Sequence, residues 1–559
     1  MRISFSVQSS SLVQGTIIPA IRTPPPVQEA STLYANPICL QMDQTLLNAD
    51  SAEAVLTVLV THRGALFVHN LITALSSLAQ MSESSVPFSV SRKFKVPDER
   101  EKLENDKLLA DARYNLLVND LIDNSPKLDI RSIEIILNSL RRLDHCHYRL
   151  FGSLLRRLYS LEICGEDLPV AISIGQTLEW GGFGKAETFF KRLSDRITLE
   201  CENIDRKDLM NALLLFSKLS TAHVDVLNAL SLTARRWIPS LSTSQLGMTC
   251  IAVSEYGESI PCGPGTIRLI AADVSKRRDT ALRDLARVAV GLRRTNVEHP
   301  ALITKAWSDT IDAIQEAQMV KERMDASVAS ISDVAAIVDA CGHFGLCNSR
   351  DIAEVVVPYV MDHIDLVTEE SAIKILFGMS SAPSSVTLKT APTVSLLFRK
   401  IGSATDSWER FKLKIMSISF SKIMQYDFVD SDFRKFIIDH SLAHYLMARR
   451  GYGVPYPEAG EVLFRAVREA LDNSGLSSVK MCFNGWVPNS PFNADLLFPD
   501  DRIAVVLLSR FSDQGNPVGV DLVQVNLIKA LGWHVIPIHY KRGFQDVSHI
   551  IDTLPIARD

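Results

Sequence analysis

The side chains able to hold a metal or exchange a disulfide are few and poorly spaced. Nine cysteines are scattered along the chain with no CxxC pair, and the nearest approach to a ligand cluster is Cys341, His343 and Cys347. Tetrahedral zinc needs a fourth ligand, which the local sequence does not offer. An odd cysteine count without framework spacing reads as buried thiols in a reducing compartment. No metal or cofactor is expected.

The more suggestive chemistry is cationic. Arg156-Arg157, Lys191-Arg192, Arg235-Arg236 and Lys276-Arg277-Arg278 recur along the middle of the chain, and Arg293-Arg294, Arg399-Lys400 and Arg449-Arg450 extend the series at other positions. Paired cations at regular intervals suit a phosphate backbone, which offers one anionic group per nucleotide. Bulk charge lends no help. The chain carries a net charge of −5. Residues 131–450 hold 39 Lys/Arg against 38 Asp/Glu (a balance of +1), and residues 481–559 hold 6 against 8 (−2). Any RNA site must therefore arise from local arrangement. The competing reading is structural: cations near helix C-termini complement the macrodipole, and their alkyl stems cover apolar surface.

The elements that must position these cations are helical. From about Ser132 to Met447, apolar residues recur at three- and four-residue spacing, broken by Gly, Pro, Asn or Asp. The predicted helices pair as 133–143 with 148–158, 168–178 with 186–197, 209–219 with 224–238, and 246–256 with 266–274. Further pairs are 282–292 with 302–314, 334–344 with 352–364, 372–379 with 394–401, and 413–424 with 433–447. First helices recur roughly every 35 to 41 residues, with one gap of about 52, which is the spacing of helix–turn–helix repeats. One hairpin cannot bury its own apolar face, so successive hairpins are expected to stack as an α-solenoid. Equivalent positions then line up at about 10 Å spacing, giving the basic clusters one shared edge.

At 559 residues the chain exceeds a single core. The expected organisation is a leader and linker over 1–45, an N-terminal helical region over 46–130, the repeats over 131–450, and a distinct module over 451–559. Within the second of these, 46–80 reads as helix and 82–100 as loop. The first 28 residues lack any acidic side chain and are rich in serine, with Arg2 and Arg22 basic. That composition predicts a mitochondrial transit peptide and a matrix location. No membrane insertion is expected: the most apolar stretch, 54–81, is interrupted by His62, Arg63, His69 and Asn70.

After Tyr452 the pattern changes to α/β. A helix is predicted over 460–473, strands over 479–483, 495–498, 503–508 and 534–538, a helix over 520–531 stopped by Gly532, and a closing helix over 545–554. Here NADLLFPDDRIAVVLL (493–508) followed by LVQVNLIKALGWHVIPIHYKRGF (522–544) resembles the RAP domain, an RNA-binding domain abundant in Apicomplexans. Leu527, Ile528 and Leu531 fit the aliphatic end of the family's helix, and Gly532, Trp533, Val535, Ile536 and Ile538 fit its G-W-x-V-I-x-I element. The resemblance covers the last 70 to 80 residues or so. It implies a small nuclease-like fold of the PD-(D/E)xK kind behind helical repeats, the layout of organellar RNA-metabolism proteins that include the FAST kinase relatives.

A nuclease of that kind needs an Asp and then an acidic-x-Lys on the next strand to hold Mg²⁺ and activate water. Asp495 fits the first acid, but Val506, Leu507, Leu508 and Ser509 stand where the family often has Glu-Val-Asp-Gly. Aliphatic side chains cannot ligate a hard metal. No catalytic residue is expected, a displaced acid such as Asp501 or Asp513 being the only alternative. What remains is a binding surface. Arg502, Arg510, Lys529, Lys541 and Arg542 are candidate phosphate contacts, and Phe511, Trp533, His534, His539 and Tyr540 candidate stacking residues, with Trp533 also suited to anchoring helix on sheet. The expected role is non-catalytic binding of single-stranded or ribosomal RNA, in RNA stability, processing or ribosomal RNA assembly, alongside mitoribosomal or other RNA-metabolism proteins. The alternatives are a protein-interaction scaffold or mitoribosome-associated subunit, and an unconventional endoribonuclease.

Overall fold

The computed structural model describes residues 37–82, 106–219, 223–320, 329–382, 389–401, 456–488, 490, 492–541 and 547–554. The predicted transit peptide, most of the 82–100 loop, the last predicted helix pair and Arg542 lie outside the described residues, as do Arg449 and Arg450. The protein is mainly helical, with one small C-terminal four-stranded mixed sheet. It divides into two compact units, residues 1–200 with 219–221, and residues 201–218 with 222–559. No helix among the described residues is long and apolar enough to cross a membrane.

The first unit contains α1 (Pro37–Leu47), α2 (Ala52–Thr61), α3 (Val68–Met81), α4 (Ala112–Asn124), α5 (Ile130–Arg142), α6 (Tyr148–Ser160), α7 (Leu168–Trp180) and α8 (Glu187–Glu200). The stretch read as helix over 46–80 is thus divided among three helices. The break after α1 precedes Ser51, whose hydroxyl caps α2 by accepting the Ala54 N–H at 3.2 Å. Two layers form. Helices α1, α3, α5 and α7 pack successively against one another, and α2, α4, α6 and α8 do the same beside them. Strong amphipathicity explains this: α5 buries Ile133, Ile136, Leu137 and Leu140 completely while its other face carries Arg131 and Glu134.

The second unit continues with α9 (Arg206–Lys218), α10 (Val224–Trp237), α11 (Thr243–Ser254), α12 (Gly263–Val274), α13 (Leu282–Arg294), α14 (Pro300–Val320) and α15 (Ile331–His343). Next come α16 (Ser349–Asp351), a π turn over Ile352–Val356, α17 (Val357–Asp362), α18 (Glu369–Ser381) and α19 (Ala391–Ile401). Helices α9, α11, α13, α15 and α18 form one layer by consecutive packing, and α10, α12 and α14 another. Approach is close where α15 crosses α18. A Cβ built on Gly378 would fall 2.3 Å from Val338 Cγ1, and one on Gly342 would fall 2.8 Å from the Gly378 Cα. Only glycine permits that separation.

The C-terminal module comprises α20 (Pro457–Asn473), β1 (Cys482–Trp486), β2 (Asn493–Phe498), β3 (Ile503–Leu508), α21 (Gly519–Ala530), β4 (His534–His539) and α22 (Val547–Thr553). The first strand starts three residues later than its apolar run suggests. Strand order is β1-β2-β3-β4, antiparallel except for the β3–β4 pair, which is parallel and joined through α21. Helix α20 packs on β1, β2 and α22, while α21 packs on β4 and also on α15 and α18 of the preceding helices. Both faces of the sheet are therefore covered, which is why β2 and β3 are buried along their whole length and read as unbroken apolar runs.

Candidate nucleic-acid interface

The recurrent basic clusters split residue by residue. In each, at least one arginine turns back onto the protein. Arg157 donates through Nε to the Leu128 carbonyl at 2.8 Å and through Nη1 to Ser160 Oγ at 3.2 Å. Arg192 donates to the carbonyls of Leu158 (3.3 Å), Tyr159 (3.1 Å) and Leu161, at the end of the preceding α6. Arg277 does likewise to Ile238 (3.4 Å) and Leu241 (2.8 Å) beyond α10, while pairing with Asp273 at 2.6 Å. Lys305 on α14 reaches the Arg277 carbonyl in the same manner. The last carbonyls of a helix have no partner within it, and a cation from the next hairpin satisfies them. Arg235 instead holds the start of α12, donating to the Cys262 carbonyl (2.9 Å) and Thr266 Oγ1 (2.8 Å).

Their neighbours face outward. Arg156, Lys191, Arg236, Lys276 and Arg278 are all exposed. Of these, Arg156 donates to the Gly152 carbonyl of its own helix at 3.4 Å, and Arg236 pairs loosely with Glu202 at 3.4 Å. Among the expected extensions, Arg293 is bound to the buried Asp339 and Arg294 to Glu255 at 2.5 Å, whereas Arg399 and Lys400 are exposed at the end of α19.

Within the module, the parallel β3–β4 pair sorts the candidates to two ends. Arg502 and Lys529 are exposed near the starts of these strands. Arg510, Phe511, His539, Tyr540 and Lys541 follow the other ends, separated from the first group by a six-residue strand of about 20 Å. Ends of parallel strands are where open α/β sheets commonly bind ligands. The second group is the one brought together. Tyr540 stacks on Tyr456 with ring centroids 4.2 Å apart and planes 7° from parallel, His539 lies 5.4 Å from Tyr540, and Phe511 lies 5.3 Å from His539. Lys541 Nζ sits 5.7 Å from the centre of the Tyr540 ring. Tyr456 was missed by sequence reasoning; it precedes α20 by one residue, and only the folded sheet places it beside Tyr540. Trp533 is buried, while His534 is exposed at the opposite end.

Beside this aromatic row a cleft of about 650 Å³ opens between the module and the preceding helices, with Pro264, Asn296, Phe511, Gln514, Pro537 and His539 among its walls. The loop forming one wall is held firmly. Asp513 accepts the Glu298 N–H at 3.1 Å and pairs with Arg268, and its own N–H goes to the Asn296 carbonyl at 3.1 Å. Glu298 Oε2 in turn accepts from Ser512 Oγ (2.7 Å) and Asn516 Nδ2 (3.0 Å). Asn296 adopts a left-handed φ of 53° and contacts His343 Nε2 through Oδ1 at 3.0 Å.

Asp495 occupies a different setting. Ladder pairing between β2 and β3 spans Phe498–Ile503 to Leu496–Val505, and the next donor, the Leu507 N–H, goes to Asp495 Oδ2 at 2.7 Å. The side chain is wholly buried, and its Oδ1, which has no hydrogen-bond partner among the described residues, faces Gly460 on α20. Burial pushes this carboxyl up to about 7. Asp521, also buried, accepts the N–H groups of Ser509 (3.0 Å) and Arg510 (2.8 Å) and fixes the chain as it leaves β3. Cys341 and Cys347 are thiols whose pKa burial raises, the reverse of what a metal ligand or nucleophile requires. Among the described residues no cluster of three His, Cys, Asp or Glu side chains is placed to hold a metal.

No protein-family model matches this chain. No curated protein matches it either.

Proposed function

We propose that this protein is a non-catalytic RNA-binding protein of mitochondria, in which an α-solenoid presents a terminal RAP-like module, of nuclease-like fold, to single-stranded or ribosomal RNA. The carrying observation is the aromatic row Tyr456–Tyr540–His539–Phe511, with Lys541 above Tyr540, at the C-terminal ends of the parallel strands. Aromatic rings beside a cation suit unpaired bases and their phosphates, although Tyr456 and Tyr540 also turn their faces on one another and pack against the core of the module. The alternating helix layers support the solenoid, and Lys191, Lys276 and Arg278 supply outward charge. The burial of Asp495, with no second acid on β3, supports binding over hydrolysis. Roles in RNA stability, processing or ribosomal RNA assembly follow from such binding.

The test is fluorescence anisotropy with a labelled single-stranded 12-mer RNA across a salt series. Expected is a complex whose log affinity falls linearly with log salt, weakened several-fold by Tyr540→Ala, with Lys541→Ala reducing the slope by about 1. Absence of binding by the wild-type chain at low salt overturns the reading. A protein-contacting scaffold is the second reading. It is favoured by the inward turn of Arg157, Arg192, Arg235 and Arg277, which removes four cations from any backbone track.

A further inference from the structure

We propose that the cleft between the module and the preceding helices is a subsite for a single nucleobase, taken from a strand whose neighbouring bases lie along the aromatic row. This deepens the RNA-binding reading and rests on it. Two of the row's rings, Phe511 and His539, are walls of the cleft, so the row leads from the module's edge into the cavity. Pro264 and Pro537 add apolar walls that carry no backbone N–H, and a volume of about 650 Å³ is ample for a base with its sugar.

The edge of a base also needs donors and acceptors. Gln514 supplies both: its backbone N–H is bound to Ser512 Oγ at 3.3 Å, while its exposed side-chain amide makes no hydrogen bond to any described residue. A carboxamide can pair in bidentate fashion with an adenine edge. The loop carrying Gln514 is already ordered. Ser512 accepts from the Gln514 and Asn516 N–H groups, the Ser512 N–H bonds the Asn516 carbonyl at 2.7 Å, and Phe511 bridges to Pro517. A wall fixed before the ligand arrives loses little freedom on binding. Arg268, half exposed, is ion-paired with Asp513 and so helps hold this wall in place.

The same chemistry fits a base within RNA or a free nucleotide, and the experiment separates them. Oligoadenylate 12-mer binding is measured by anisotropy, and adenosine monophosphate binding by saturation-transfer NMR, on the full chain and on the Phe511→Leu, Phe511→Tyr and Gln514→Ala variants. Irradiation at 254 nm with mass spectrometry then maps the crosslinked peptide. Leucine keeps apolar bulk without the ring face, tyrosine keeps the face, and Gln514 is exposed, so its loss does not threaten folding.

Expected is about ten-fold weaker oligoadenylate binding in Phe511→Leu, unchanged salt slope, recovery in Phe511→Tyr, weakening in Gln514→Ala, and a crosslink within residues 511–517. RNA binding that is indifferent to all three substitutions, with crosslinks elsewhere, overturns the subsite and leaves the RNA reading standing. Binding of the monophosphate alone, lost in Phe511→Leu, supports the base pocket and overturns the RNA reading. Wild-type protein that binds neither probe overturns both.

Discussion

Arg277 donates through Nη1 to the carbonyl oxygen of Leu241 at 2.8 Å, joining the end of one helical hairpin to the end of the one before it. The same link recurs from Arg192 to the close of α6 and from Arg157 to Leu128. These arginines hold consecutive hairpins together where helix carbonyls would otherwise go without partners. Their neighbours Lys191, Lys276 and Arg278 face outward.

This division predicts that stability and RNA affinity separate within one cluster. Arg277→Ala is expected to lower stability by about 1.5–3 kcal/mol, the usual value of hydrogen bonds from a charged donor, read as a shift in the urea midpoint. Lys276→Ala and Arg278→Ala are expected to leave that midpoint within about 0.5 kcal/mol and to reduce the salt slope of RNA binding. The opposite ranking would show that the inward arginine is dispensable.

The Asp495 carboxyl titrates against folding. Its folded pKa, about 7, lies above the unfolded value near 4, so between these pH values the native state binds the extra proton. Stability from this group is therefore full below pH 4, falls as pH rises from 4 to 7, and is then constant. At about 1.4 kcal/mol per tenfold change in proton affinity, the total is on the order of 4 kcal/mol. Asp495→Asn removes the titration. Denaturation of the two proteins at pH 5 and pH 8 should show wild type losing much more stability than the variant between these pH values.

Gly378→Ala is expected to destabilise the second unit by about 1–3 kcal/mol or more, because the added methyl meets Val338 Cγ1 at 2.3 Å and the Val338 carbonyl at 2.7 Å. Thermal unfolding followed by circular dichroism gives the readout. Gly475→Ala is the instructive contrast. Nothing lies within 4 Å of its added Cβ, so any loss there reports only the φ of +74°.

The polar contacts of Glu298 and Asp513 set how firmly the module is seated. The double variant Glu298→Ala, Asp513→Ala removes the acceptors for Ser512, Asn516 and Arg268. Faster amide exchange over residues 510–518 is expected, with exchange in the sheet interior at Val505 and Leu507 unchanged. Equal acceleration in the strands would mean the module does not keep its own core.

The sequence by itself determined the helices, because the periodicity that buries Ile133, Ile136, Leu137 and Leu140 is written in the order of residues. Seven predicted hairpins correspond to observed helices, and β3 begins and ends where its apolar run does, at Ile503 and Leu508. Local signals carry that far, since propensity and patterning act over one or two turns. Tertiary structure alone decided which cations face water. Arg156 and Arg157 are adjacent in sequence, yet one helical step of about 100° turns the first outward and the second towards Leu128. It also decided the site: Tyr456 and Tyr540 stack because β4 and the start of α20 meet across the sheet, and the cleft exists because α21 seats the module on α15 and α18. Such contacts join residues far apart in the chain, and no spacing rule encodes them.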